Sequence, residues 1–302
     1  MEYDLIIIGA GPAGLTAGIY AARYKLKTII LTKSLGGTAA TAHKVCNYPS
    51  YYEIKGIELM QNIISHVKQL EVPIITEGVK SINKKKDKFV IKTNKTEYFA
   101  KKVIFGAGTE RTKLNVEGEA KFLGRGVSYC ATCDAAFFKN KDVCVVGGSN
   151  AALTAALLLS EFGSKVYLIY RKSKFFRPEP AWIELVEKDK KIKVLFKEEI
   201  KEIKGEKMVE GVKLKSGKEL KVEGVFIEVG SVAKTEILND MKVKRDAKGY
   251  VITDKAQKTN VHGFFAAGDV TDNVLKQIVN SCGEGAVAAY SAYAELKKES
   301  LS

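Results

Sequence analysis

Five cysteines in 302 residues, without regular spacing, are too few to form a disulfide scaffold. No run of 18 or more apolar residues occurs, so nothing in the sequence reads as a membrane span. The opening Met1-Glu2-Tyr3-Asp4 is acidic and enters a short apolar stretch ending in Gly, unlike a secretory signal. A cytoplasmic protein is expected. No nucleic-acid module is present, and no basic stretch is interleaved with aromatics. The net charge of +14 is therefore read as a field that draws an acidic protein rather than nucleic acid. Lys84-Lys85-Lys86 flank an expected hairpin and read as a solvated surface. What remains is ordinary for a soluble protein, 46% hydrophobic and 28% charged, and long enough for about two domains.

One close pair stands out. Cys130-Ala131-Thr132-Cys133 is followed by Asp134, within Ser128-Tyr129 and Ala135-Ala136-Phe137-Phe138. Two thiols three apart can open and close a disulfide, and a Cys-X-X-Cys pair at a helix start favours the reactive thiolate. The adjacent carboxylate can pass protons to sulfur, because reducing a disulfide consumes protons as well as electrons. Half of a zinc site and two packed cysteines are the other readings. Structural zinc wants four ligands, and no second Cys-X-X-Cys or paired His exists, so no metal site is expected. Cys46, Cys144 and Cys282 lie far apart in apolar or Gly/Ala-rich sequence, and Cys46 reads as a packed, inert thiol.

Around this pair the chain reads as α/β, with two nested Rossmann-like folds. Asp4–Ile8 forms a buried strand, Gly9-Ala10-Gly11-Pro12-Ala13-Gly14 a turn, Leu15–Lys25 a helix and Thr28–Leu31 a second strand. In that context Gly-X-Gly-X-X-Gly is a dinucleotide fingerprint. The first Gly turns the chain, the second lets backbone approach a pyrophosphate, and the third lets helix pack on strand. Thr32 stands where an acid often binds a ribose hydroxyl. Near the other end, Thr259–Ala267 leads into Gly268-Asp269, a strand end offering bare backbone and a carboxylate. A second βαβ unit begins between them: strand Val143–Val146, turn Gly147-Gly148-Ser149, helix Asn150–Phe162, strand Val166–Ile169. It continues through Val209–Leu214 and Leu220–Val229. Residues 1–112 and 244–302 are therefore expected to form one domain and 113–243 a domain inserted into it, with hinges near 112–118 and 244–249.

With these motifs the whole chain resembles the low-molecular-weight, bacterial and archaeal type of thioredoxin reductase. Gly36-Gly37-Thr38 (Gly-Gly-Gln in most of the family), Asn47-Tyr48-Pro49 before Gly56-Ile57-Glu58-Leu59-Met60, Gly124-Arg125-Gly126-Val127-Ser128 and Lys276-Gln277-Ile278 add to the likeness. The resemblance implies FAD held by Gly9, Gly11, Pro12, Ala13, Gly14, Thr32, Lys33, Gly36, Gly37, Thr38, Asn47, Gly108, Gly268, Asp269, Lys276, Gln277 and Ile278. It implies that Cys133 is the cysteine nearer the flavin and that Cys130 attacks the disulfide of thioredoxin. Asp134 would be the acid, in an inserted domain that swings. A homodimer is implied as well. A redox sensor whose disulfide reports the cell's poise is the alternative of another class.

The electron donor departs from the family pattern. The nicotinamide fold of the family carries Gly-X-Gly-X-X-Ala, whereas this chain has Gly147-Gly148-Ser149-Asn150-Ala151-Ala152, and the Cβ of Ser149 would intrude on a pyrophosphate. The acid common in the following helix turn is missing at Leu153-Thr154-Ala155. Where the family has His-Arg-Arg-X-X-X-Arg for the phosphate of NADPH, this chain has Tyr170-Arg171-Lys172-Ser173-Lys174-Phe175-Phe176-Arg177. Relatives that lack these motifs take electrons from reduced ferredoxin or a deazaflavin. Ferredoxin is the expected donor, with NADPH as the alternative.

Overall fold

The computed structural model describes residues 2–301, and the chain divides into two compact units. One holds Met1–Ala40, Val45–Glu110 and Val232–Ser302, and the other holds Thr41–Lys44 and Arg111–Ser231. The border thus falls at Ser231, earlier than the residue 243 expected from the sequence. The reason is packing: Leu238, Met241 and Val243 are buried in the first unit's core with Phe89 and Phe264.

The first unit opens with β1 (Glu2–Ala10), α1 (Pro12–Arg23), β2 (Thr28–Leu35), α2 (Gly56–Gln69), β3 (Ile74–Thr76), β4 (Val79–Lys85), β5 (Lys88–Thr93) and β6 (Glu97–Phe105), and β7 (Thr109–Arg111) falls at its border. The inserted stretch gives β8 (Val127–Ser128), α3 (Ala131–Asp134), β9 (Asp142–Val146), α4 (Asn150–Phe162), β10 (Lys165–Tyr170) and α5 (Pro180–Lys188). It continues with β11 (Ile192–Phe196), β12 (Ile200–Lys204), β13 (Gly211–Leu214), β14 (Glu219–Lys221) and β15 (Gly224–Ile227). β16 (Ser231–Ala233), β17 (Phe264–Ala266) and α6 (Ile278–Glu299) complete the chain.

In the first unit β1 lies between β2 and β6, parallel to both, with β3 beyond β2 and β17 beside the end of β6. The run Leu5-Ile6-Ile7-Ile8 is apolar on both faces because both faces are covered, as parallel sheets require. β4 and β5 form the expected antiparallel hairpin, turning at Lys86 with φ of 52°. One face packs α1 and α6 through small residues: Ala13, Ala17 and Ala21 share a buried cluster with Ala288, Ala289 and Ala292. On β6 the buried Lys102 ammonium meets Glu299 and lies 3.2 Å from Glu295, which Lys258 also reaches at 2.9 Å. A buried cation is tolerated here because it is paired, and the pairs tie the end of α6 to the sheet.

In the inserted unit five parallel strands run in the order β11-β10-β9-β15-β8. α4 covers one face, burying Leu153, Leu158 and Leu159 in a cluster that Trp182 of α5 packs against. The small sheet β12-β13-β14 supplies Ile203, Val212 and Leu220 to the cluster on the other face. Leu220–Val229, expected as one strand, is two: β14 pairs with β13, while β15 enters the parallel sheet. The break comes at Val222 and Glu223, and β15 opens at Gly224, where a Cβ would stand 2.5 Å from the Phe138 ring. Among the described residues no helix is long and apolar enough to cross a membrane.

Two outcomes follow from the contacts of α6. A Cβ on Gly285 would lie 2.1 Å from the Ala13 carbonyl oxygen, so Gly285→Ala should cost about 1–3 kcal/mol, read as a lowered thermal midpoint of the first unit. Burial alone would raise the Glu295 pKa, but hydrogen bonds from Lys258 and Lys102 outweigh it and the net direction is down. A carboxylate depressed in the folded state stabilises above its unfolded pKa and loses that contribution as pH falls through the folded value. Glu295→Gln should therefore destabilise near neutrality, and its deficit in denaturant unfolding should shrink below about pH 4.

Candidate active site

The cysteine pair lies in the inserted unit, closed as a disulfide between Cys130 and Cys133 with Cα atoms 5.3 Å apart. β8 ends at Ser128 and the chain turns at once into the short helix α3, so Cys130 caps that helix. The Cys133 N–H points at Cys130 Sγ from 3.2 Å, a donor that would favour a thiolate on Cys130 once the bond opens. Asp134 Oδ2 accepts from the Ser128 hydroxyl at 2.6 Å, and Ser128 Oγ in turn accepts the Cys130 N–H at 3.0 Å. Ser128 thus ties the carboxylate to the backbone of the first cysteine. The Thr132 hydroxyl donates to the Thr41 carbonyl at 2.7 Å. Cys133 is exposed, and so is Phe137, at 74%.

Upstream, Glu119 is buried and accepts the N–H groups of Leu114 (2.9 Å) and Asn115 (2.6 Å) and the Tyr129 hydroxyl. Burial first, then this carboxylate, push the Tyr129 phenol up. Arg111 pairs with Glu228, whose carboxyl burial pushes above the ordinary range against the pull of the guanidinium.

The first unit gathers most of the residues that the resemblance assigns to FAD. The turn between β1 and α1 is backbone throughout: Gly11 caps α1, no side chain satisfies its first N–H groups, and Pro12 opens the helix. A Cβ on Gly14 would fall 1.8 Å from the Gly9 carbonyl oxygen, so helix and strand meet without side chains between them. A Cβ on Gly37 would lie 3.2 Å from the Gly11 Cα, which brings the turn Gly37–Thr41 over the same loop. Gly11 and Gly108 face open space. Gly268 follows β17, and a Cβ there would meet the Ala13 Cβ at 2.9 Å, so the second motif arrives beside the first.

Asp269 stands at that junction. Burial raises its carboxyl pKa, against the Lys276 charge and the Ser281 hydroxyl 3.4 Å away. Lys276 donates to the Thr271 carbonyl and lies over the Tyr250 ring at 4.3 Å; burial lowers its pKa against Asp269 and Glu284. Asn47 donates to Gln277 at 3.1 Å, just before Ile278 opens α6. Thr38 is exposed in the Gly37–Thr41 turn, and Gly36 packs toward Ala40 and Met60. Thr32 is engaged internally, accepting the Ala10 N–H at 3.2 Å and donating to the Ser34 carbonyl at 2.7 Å. The Lys33 stem runs beside Gly78. Cys46 is exposed rather than packed. A bare-backbone helix start, open space above Gly11 and Gly108, and a half-buried carboxylate beside Ser281 and Lys276 fit a dinucleotide with a polyol chain.

Residues 3–285 match the model of the pyridine nucleotide-disulphide oxidoreductase family. The chain is 39% identical over 298 residues to a thioredoxin reductase of Treponema pallidum, covering 96% of each. The chain belongs to the low-molecular-weight thioredoxin reductase family. Its fold superposes on Lactococcus lactis thioredoxin reductase with a TM-score of 0.95 at 36% identity, covering 98% of this chain and 99% of that one. A Ferredoxin-Flavin Thioredoxin Reductase of Clostridium acetobutylicum is also 36% identical, with a TM-score of 0.55 and coverage of 98% and 99%. FAD is the cofactor of this family and of this chain.

Several residues escaped the sequence reading. Glu284 is buried and accepts the Gly268 N–H at 2.6 Å, the Thr271 hydroxyl at 3.3 Å, and the amides of Asn273 and Asn280. A lone acid within Ser281-Cys282-Gly283-Glu284-Gly285-Ala286 was the available signal. Tyr48 donates to Cys282 Sγ at 4.0 Å, and burial, then that thiol, raise its pKa to about 12. Ser128 lay inside a quoted motif, but its link to Asp134 depends on the turn. Glu284→Gln replaces an acceptor of four donors by a group that brings donors of its own. The expected result is an apparent FAD affinity about tenfold weaker, read as the flavin-to-protein absorbance ratio after dialysis.

Proposed function

We propose that the chain is a flavin-dependent thioredoxin reductase whose electrons come from reduced ferredoxin, an acidic one-electron protein donor, rather than from NADPH. The Cys130–Cys133 disulfide, with the Asp134 carboxylate held by Ser128, carries the reductase reading. FAD supplies the conversion of single electrons into the pair that a disulfide requires.

The chain's own residues account for the rest. Two electrons and two protons open the disulfide to Cys130 and Cys133 thiols. Asp134, fixed by Ser128, passes protons at the sulfurs. The Cys130 thiolate, favoured by the Cys133 N–H, attacks one sulfur of the thioredoxin disulfide and expels the other as a thiolate that takes up a proton. Cys133 then attacks Cys130, which restores the Cys130–Cys133 bond and frees thioredoxin as a dithiol. The exposed Phe137 offers an apolar rim beside the pair for the protein substrate.

The donor reading is supported by Ser149 in place of a glycine, by the lost acid and His of the second fold, and by the charge of +14. In the inserted unit the first residue of α4, Asn150, is occupied. It donates to Glu179 Oε1 at 2.8 Å and accepts the Glu179 N–H at 2.8 Å. The Clostridium acetobutylicum relative, named for ferredoxin, matches the chain as well in sequence as the Lactococcus lactis enzyme does.

Anaerobic mixing decides the donor. Reduced ferredoxin should bleach the flavin absorbance within the mixing experiment, whereas NADPH at micromolar concentration should leave it unchanged. Rapid bleaching by NADPH would defeat the donor reading. For the sulfurs, Cys133→Ser should retain FAD but lose the long-wavelength thiolate–flavin absorbance, and Cys130→Ser should keep it. The opposite pattern would reverse the two roles.

A further inference from the structure

A dinucleotide fold places the adenosine ribose between its first glycine turn and the end of its second strand. In the inserted unit these two places are Gly147-Gly148-Ser149 and Tyr170, the last residue of β10. They do not face each other across a gap. Tyr170 is only 8% exposed, and its ring lies against Gly148 so closely that a Cβ there would stand 2.2 Å from ring carbon Cε2. Phe175 stacks on Tyr170 with centroids 5.6 Å apart and planes 20° apart, and Phe196 closes from the side at 6.5 Å. Phe175 and Phe196 contact each other at 5.0 Å, so the Tyr170 ring belongs to a packed group and not to a loose side chain.

The phosphate half of the site is also answered from within. The N-terminus of α4 would face a pyrophosphate, yet the carboxylate of Glu179 is bonded to Asn150 at that end. A second negative group would meet it there. The cations of the following loop, Arg171, Lys172 and Lys174, are exposed and still able to attract a phosphate, so charge is present where shape is not.

We infer that Tyr170 closes the dinucleotide cradle of the inserted unit, its ring standing in for the adenosine ribose, and that it is the specificity-determining residue that turns the enzyme away from pyridine nucleotides. The inference rests on the donor reading above and assigns it to one side chain. Ser149 then plays a lesser part, because restoring glycine at that position leaves the ring in place.

The test is calorimetric titration of the oxidised holoenzyme with NADPH and with adenosine 2′,5′-bisphosphate, which carries the ribose without the nicotinamide. Wild type, Tyr170→Phe and Ser149→Gly should show no saturable binding up to millimolar ligand. Tyr170→Ala should bind both ligands, with a gain of about tenfold or more in apparent affinity, because the cradle is no longer held shut. Tyr170→His, smaller and still planar, decides the matter if the alanine variant loses its flavin. Tyr170→Ala or Tyr170→His that keeps its flavin and circular dichroism yet stays as blind as wild type would overturn the role of Tyr170 while leaving the donor reading intact. Binding gained by Ser149→Gly alone would move the role to Ser149. Micromolar NADPH binding by wild type would overturn this inference, and NADPH bleaching of the wild-type flavin would overturn the donor reading itself.

Discussion

The first unit depends on backbone meeting backbone at the carboxyl end of β1. Gly14 sits against the Gly9 carbonyl, Gly285 against the Ala13 carbonyl, and Gly268 against the Ala13 side chain. With no side chains in the way, α1 begins directly above the strand, α6 lies close along α1, and the turn after β17 reaches the same point. The amides at the start of α1 are left without internal acceptors, which an anionic group can then satisfy. Glu284 adds the complementary device, a buried carboxylate that fixes the Gly268-Asp269 turn through the backbone N–H of Gly268. The cradle for FAD is thus shaped by what is missing between elements as much as by the groups that line it.

The inserted unit repeats the same strand–turn–helix–strand plan with different turn chemistry. Gly147 still lets α4 approach β9, since a Cβ there would stand 2.8 Å from the Ala152 Cβ. What changes is the outer rim, where Asn150 and Glu179 bond each other and the Tyr170 ring packs against Gly148. The cysteine pair sits on another exit of this unit, at the end of β8, where Ser128 couples a carboxylate to the first cysteine. One fold therefore carries both a Rossmann-type turn and a redox disulfide, which illustrates how function is grafted on sites rather than inherited with architecture.

The sequence made the periodic and the local legible. The strand-turn-helix of β1 and α1, the helix Asn150–Phe162 and the hairpin beside Lys84-Lys85-Lys86 depend on neighbours in the chain; the second helix falls where expected, and α1 begins three residues earlier, at Pro12. The cysteine pair and Asp134 were equally plain, because their chemistry is written in five consecutive residues. Long-range packing was not legible. Val232–Val243 was assigned to the inserted domain, yet Leu238 and Met241 find their core with Phe89. Leu220–Val229 read as one strand, and only the pairing of its two ends with different strands, β14 with β13 and β15 with β9, shows that it breaks. Thr32 stood at the expected place for ribose recognition, but its hydroxyl closes the strand end through Ala10 and Ser34. Tyr170 was readable as a lost histidine, whereas its ring on Gly148 is a tertiary fact.

Trp182 is the single tryptophan of the chain, and it packs in the inserted unit against the cluster of Leu153 and Leu159. The residues that the resemblance assigns to FAD lie in the other unit. Each half of the molecule therefore owns a natural optical label, indole emission for one and flavin colour for the other. Melting curves recorded at the two wavelengths will separate if the halves lose structure independently and coincide if they do so together, with no dye attached.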